Sequence, residues 1–234
     1  MRVQDQPAYI LHHRPFRDTS QILDIMSRDY GRLSLMSRGS RAAKSRLKST
    51  LQPFTPLLVN WSGKGEMPLL TGAEVQTLKH MTLKGRALPC AFYMNELLIG
   101  LVHKHDVYEG VFHLYESVIK LLADKQPVEP VLRVFEKQLL QALGFGLNLV
   151  SNAQTGLAIE ADCEYAYYLE HGPIDMLSVH DEAYIYRLPG QSLMDLEANT
   201  LDSAQSLKDA RRLMRSVLHF YLGGKPIKSR ELFR

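Results

Sequence analysis

Five cations crowd residues 37–48: Arg38, Arg41, Lys44, Arg46 and Lys48, with no acid among them and one large apolar residue, Leu47. A stretch so charged buries little surface, and its composition suits a mobile loop or a short exposed helical turn. The chemistry open to it is electrostatic, because clustered ammonium and guanidinium groups neutralise phosphates without reading base sequence. Arg14 and Arg17 lie upstream in the same basic part. A second basic group near the other end holds Arg211, Arg212 and Arg215 with Lys225, Lys228 and Arg230. Arg211 and Arg215 are i, i+4 neighbours on one helical face. Tyr9, Phe16, Tyr30, Phe54 and Trp61 offer rings that could stack on bases, with Tyr30 best placed at a turn between Arg28 and Arg32. Ordinary solvated basic faces and core aromatics would satisfy the same residues.

Bond-making chemistry finds little support. There is no GxSxG elbow, Walker A loop, GxGxxG after a strand, or HExxH. His103-Lys104-His105-Asp106 has the atoms for a metal, but helical residues two apart point about 200° from each other. A frayed, solvent-facing helix end explains the run better. His12 and His13 on a strand would face opposite sides. Asp162-Cys163-Glu164 with His171 is a weak cluster, and the remaining acids are not grouped as a two-metal nuclease requires. Cys90 and Cys163 are the only cysteines and lack CxxC spacing, which argues against a disulfide framework or a cysteine-rich zinc site. No enzyme, cofactor or metal is expected.

Composition locates the basic chemistry. The net charge of the 234 residues is only +3, yet residues 1–60 hold ten Lys/Arg against four acids, and the rest eighteen against twenty-one. A polyanion-binding part joined to an acidic one follows from that asymmetry. The N-terminus lacks the apolar core of a signal peptide, and the longest apolar patch, near Leu97, is too short to span a bilayer. No membrane association and a cytoplasmic location are therefore expected.

The elements that must carry these residues divide in two. Up to about Leu78 the chain reads as short strands: 8–13, stopped by Pro15; 21–26; a turn at 28–31; 32–36; then 55–61 and 66–70 joined across Gly63 and Gly65. Four or five strands in such a length suggest a small barrel. The OB-fold is favoured for its oligonucleotide-binding loops, and an SH3-like barrel stays open. Beyond Leu83, helical periodicity appears from Ala87, from Tyr108 to Leu122, and from Pro130 to Leu143 with Gly144 as C-cap. Aromatic alternation at 165–169 and 183–188 reads as a small β or irregular lobe. Helices return at 191–198 and from a cap at Asp202 or Ser203 to Tyr221, ended by Gly223-Gly224. The expected fold is α+β: an OB-fold barrel (1–80), a helical bundle domain (81–148 and 190–234), and an inserted lobe (149–189).

Several runs resemble the bacterial recombinational repair family RecO. They are His13-Arg14-Pro15-Phe16-Arg17-Asp18-Thr19-Ser20, Leu51-Gln52-Pro53-Phe54-Thr55-Pro56-Leu57-Leu58, Tyr93-Met94-Asn95-Glu96-Leu97-Leu98 and Tyr221-Leu222-Gly223-Gly224-Lys225-Pro226-Ile227-Lys228-Ser229-Arg230-Glu231-Leu232-Phe233-Arg234. The resemblance implies a non-enzymatic DNA repair and recombination mediator at the nucleoid. Such a protein binds single- and double-stranded DNA, anneals complementary strands and works with RecR to load RecA onto strands coated by single-strand binding protein (SSB). It places DNA contacts first on Arg38, Arg41, Lys44, Arg46 and Lys48 and next on Arg14 and Arg17. It also implies a helical-domain site for the acidic tail of SSB, for which Leu132, Arg133, Lys137 and Leu140 are the candidates. Many family members carry a four-cysteine zinc site in the lobe. Residues 149–156 have no cysteine here, so the chain resembles the zinc-free branch. Without the resemblance, an RNA-binding OB module or a protein adaptor would fit the residues as well.

Overall fold

The computed structural model describes residues 1–76, 82–108, 110–179 and 184–233. The expected domain boundary at 80/81 and Ala183 of the second aromatic stretch lie outside the described residues. The chain forms two compact units, Met1–Lys125 with Ile227–Arg234, and Gln126–Pro226, a division that cuts the helical region at Gln126.

In the first unit, alternation of apolar and polar residues makes five strands: β1 (Arg2–Phe16), β2 (Ser20–Ser27), β3 (Gly31–Ser37), β4 (Leu57–Ser62) and β5 (Leu69–Val75). They form a closed barrel in the order β1-β2-β3-β5-β4. β4 returns to β1, and β3 meets β5 through the single parallel pair Met36↔Leu69. A short helix, α1 (Leu47–Thr50), lies between β3 and β4. This order is that of the OB-fold and decides between the two barrels left open by periodicity. Inside sit every second residue of the strands, among them Ile10, Leu23, Ile25, Leu33, Leu35, Leu57, Val59 and Trp61. Each such large apolar side chain contributes about 1.5–3 kcal/mol on burial.

β1 is much longer than the six-residue strand expected. It serves two neighbours, β4 with its first half and β2 with its second, and must bend between them. Register shifts at Val3/Gln6 and Ile10/His12 supply the bend. Pro15 does not stop it, because it pairs only near the hairpin tip, where a missing N–H is tolerated.

Two helices follow, α2 (Ala87–Leu101) and α3 (Val111–Ala123). They cover the outer face of β1, which is why that strand is apolar on both sides. Tyr9 meets Phe112 and Tyr115, Asn95 Nδ2 donates to the Leu11 carbonyl at 2.8 Å, and Tyr115 Oη donates to Asn95 Oδ1 at 2.7 Å. Burial drives the Tyr115 hydroxyl's pKa well above its usual value, so it remains a donor. The segment after α2 is not frayed. His105 N–H donates to the Arg32 carbonyl at 2.8 Å, Arg32 Nε to the Val102 carbonyl at 2.8 Å, and Lys104 Nζ to Ser34 Oγ at 2.7 Å. Gly31 permits this: a Cβ there would meet the Asp106 carbonyl oxygen at 2.1 Å.

The second unit holds α4 (Val128–Ala142), a three-stranded sheet in the order β7-β6-β8 (β6 Glu164–Tyr168, β7 Gly172–Asp175, β8 Tyr186–Pro189), α5 (Gly190–Ala198) and α6 (Ala204–Tyr221). Ser203 caps α6, its Oγ accepting the Ser206 N–H at 2.9 Å. α6 packs against α4 and α5 through Leu213, Met214, Val217 and Leu218, all buried. Among the described residues, no helix is long and apolar enough to cross a membrane.

Candidate nucleic-acid interface

The basic stretch leaves β3 at Ser37 and descends into α1 through successive turns. Ala42 N–H donates to Gly39 O at 3.2 Å, Ser45 to Ala42 at 3.0 Å and Lys48 to Ser45 at 3.2 Å. Ser40 is fully buried, its hydroxyl donating to the Ser37 carbonyl at 3.1 Å. Leu47 and Leu51 pack into the barrel core. The stretch is therefore anchored at both ends. Of the two forms its composition suggested, a mobile loop or a short exposed helical turn, it ends in the second, α1, after a series of turns. With its few apolar groups turned inward, Arg38, Arg41, Lys44, Arg46 and Lys48 all face solvent. Among the described residues no carboxylate lies within ion-pair distance of any of them. Like charges held together without counter-charges attract a polyanion.

The fold brings the β1–β2 tip to this loop. Arg41 N–H donates to the Thr19 carbonyl at 2.8 Å and Arg41 Nη1 to the Arg17 carbonyl at 3.3 Å. Arg17 is exposed in a turn of positive φ (54°), and Arg14 is exposed on β1 opposite Ile22. Seven of the predicted cations thus stand on one barrel, with Arg17 and Arg41 in direct contact.

Tyr30 is not the exposed platform expected. It is half-buried, edge-on to Trp61 with ring centroids 5.2 Å apart. The arginines beside it are occupied: Arg28 pairs with Asp29 at 2.9 Å, a hydrogen bond that lowers the pKa of the Asp29 carboxyl, and Arg32 is fixed to Val102. Burial lowers the pKa of the Arg32 guanidinium, partly offset by Asp24.

On α6, Arg211 and Arg215 are both exposed, while Arg212 stacks over the Tyr186 ring at 4.7 Å. The second basic group of the sequence divides between the units: Arg211, Arg212, Arg215 and Lys225 belong to the second, Lys228 and Arg230 to the first. There the Glu96 carboxylate accepts the N–H groups of Lys228 and Ser229, both at 2.8 Å, an attachment invisible to local pattern.

The four α4 residues do not form an open pocket. Leu132 and Leu140 are 4% and 0% exposed. Lys137 is buried, its ammonium donating to the carbonyls of Leu196 and Glu197 at 2.9 and 2.6 Å. Arg133 keeps 12% of its side-chain surface and pairs with the buried Glu136 at 2.9 Å. Where the resemblance implied an apolar site with cations for the acidic SSB tail, the helix holds Lys137 and Arg133 in polar contacts of their own.

Metal-ligating types are no better grouped. Cys163 Sγ lies 3.6 Å from Glu160, Glu164 pairs with Arg187, and His171 meets its own turn at Leu169. Desolvation first, then the hydrogen bond and negative charge of Glu160 with Asp175 and Asp162, raise the Cys163 thiol's pKa. The turn at 148–156 is instead organised by amides. Asn148 Oδ1 accepts the N–H groups of Val150 and Ser151, and Asn152 Oδ1 those of Gln154 and Thr155.

Residues 1–78 match the family described as Recombination protein O N terminal, and residues 83–231 match Recombination protein O C terminal. The chain belongs to the RecO family. It is 43% identical to the DNA repair protein RecO of Nitrosococcus oceani, over 99% of this chain and 93% of that protein. It is 39% identical to RecO of Azoarcus sp. (strain BH72), over 100% and 96%, and 41% identical to RecO of Photobacterium profundum, over 97% and 94%. The RecO assignment makes the chain a DNA repair and recombination protein, and the first family segment covers the barrel and its basic loop.

Proposed function

We propose that the protein binds single- and double-stranded DNA through the exposed cations of its barrel and anneals complementary strands, bringing two polyanions together without making or breaking a bond. The observation that supports this most directly is the set of five solvent-facing cations with no carboxylate partner among the described residues. Each phosphate neutralised releases counterions, so affinity falls with salt. For five contacts the log–log slope is about −4.5 on duplex and about −3.5 on a single strand. Two strands held on such a surface repel each other less, and pairing follows from the bases alone.

In this reading the protein acts as a mediator, working with RecR to place RecA on strands coated by SSB. The acidic tail of SSB needs a free cation beside an apolar surface. On α4 the cation nearest to that requirement is Arg133, which keeps 12% of its side-chain surface and already pairs with Glu136, so the tail would have to compete with that carboxylate. Titration with the SSB C-terminal peptide, with and without Arg133→Ala, tests that contact; equal affinity removes it from this helix.

The central test is a salt titration of binding to single-stranded DNA, duplex DNA and RNA, together with an annealing assay on complementary oligonucleotides. Acceleration of annealing, abolished when the five loop cations become alanine, is the expected result. A protein that leaves the annealing rate unchanged is an adaptor instead, and one that prefers RNA is an RNA-binding module.

A further inference from the structure

The barrel sorts the five aromatics of the basic part. Tyr9, Trp61 and Phe54 are 1%, 2% and 7% exposed, and Tyr30 is half-buried against Trp61. Phe16 alone of the five stays exposed, at 36%. Singly exposed apolar side chains need no explanation by themselves; what distinguishes Phe16 is the set of guanidinium groups around it.

Its setting is built. Phe16 is the last residue of β1 and pairs with Ser20 across the three-residue turn Arg17-Asp18-Thr19. Two carbonyls of that turn, those of Arg17 and Thr19, are held by Arg41. The ring therefore stands on a braced hairpin tip, with little order left to be lost on binding. The Arg17 guanidinium sits over the ring, 5.4 Å from its centroid, so a base must stack on the opposite face or displace it. Arg14, two residues back, shares the ring's side of the strand. Asp18 is the one acid in the turn and is exposed, so Arg14, Arg17 and Arg41 outweigh it. A ring beside unneutralised guanidinium groups is matched by an unpaired base and its phosphates, since every base has a π-face. Bases in a duplex have both faces stacked and cannot use it.

We propose that Phe16 is a stacking platform for an unpaired base of single-stranded DNA whose phosphates are gripped by Arg14, Arg17 and Arg41. The inference rests on the DNA-binding reading above and adds to it a source of single-strand preference at the β1–β2 tip.

The test compares wild type, Phe16→Ala and Phe16→Trp on an oligo-dT, the same oligonucleotide with abasic positions, and a blunt duplex, all at one low salt concentration. Stacking of one base is worth about 1–3 kcal/mol, so Phe16→Ala weakens oligo-dT binding by about 5- to 150-fold. Duplex affinity, which also checks that the variant is folded, stays unchanged, as does binding to the abasic strand. Phe16→Trp retains wild-type affinity, and its added fluorescence is quenched by oligo-dT. Equal losses on oligo-dT and duplex, no loss on either, or an unquenched Trp in a variant that still binds overturns the platform. If replacing the five loop cations abolishes binding while Phe16→Ala behaves as wild type, only the platform fails. If the loop replacement changes nothing, the DNA-binding reading itself fails.

Discussion

Two sets of cations look alike along the chain and end in opposite states. On the barrel, Arg38, Arg41, Lys44, Arg46 and Lys48 face solvent with no acid partner among the described residues; on α4, Arg133 and Lys137 are enclosed. The difference lies in what the fold brings to each. α5 ends at Ala198, where the helical ladder runs out and the Leu196 carbonyl takes only a long contact, 3.3 Å, from the Asn199 N–H. Lys137 meets two carbonyls of that final turn, those of Leu196 and Glu197, at the negative end of the helix dipole. Among the described residues the loop cations meet no carboxylate, and only Arg41 has a backbone acceptor, the Arg17 carbonyl at 3.3 Å. The loop's few apolar groups turn inward and leave the charges out. A cation's role therefore depends on what the fold delivers to it: Arg133 and Lys137 each meet a carboxylate, and the loop cations meet none among the described residues.

The strongest break of this contrast is the loop variant with all five cations replaced by alanine. Its DNA affinity should fall by about a thousandfold at low salt, and its duplex salt slope should become shallower by about 4.5, the share of five phosphate contacts. A retained slope would mean that the two sets do not differ in function. Next is Lys137→Met, which removes the ammonium from the Leu196 and Glu197 carbonyls and from the Glu197 carboxylate. Urea denaturation should show a loss of about 2–3 kcal/mol, with DNA binding untouched. Weaker DNA binding at unchanged stability would reverse the assignment of the α4 cations.

Arg211→Ala with Arg215→Ala sharpens the comparison from a third position, exposed cations on the second unit. The duplex salt slope should become shallower by up to about 2 if both reach phosphate; an unchanged slope confines DNA to the barrel. Lys44→Ala, the smallest change, should reduce the slope by about 1 and weaken binding equally across base sequences. Sequence-dependent loss would show that the loop reads bases.

Much of the fold was legible because its signals are local. Alternation at Leu33 and Leu35, the turn at 28–31 and the serine before α6 each act within a few residues. The length of β1 was not legible, since it follows from two partners that pair with its halves from opposite sides. Nor was the anchoring of the basic loop, which depends on Leu47 and Leu51 finding the barrel interior and on Arg41 finding Thr19. Tyr30 was misjudged for a related reason: its neighbours Arg28 and Arg32 looked free until Asp29 and Val102 were seen to hold them.

The amino-acid order by itself determined where positive charge concentrates, the β-then-α layout and the RecO resemblance, all properties of composition and short-range period. Only the tertiary structure decided which charges and rings are free to bind. Acceptors come from elements distant in the chain, as Leu196 and Glu197 come to Lys137 across 59 and 60 residues. No window along the sequence contains both partners.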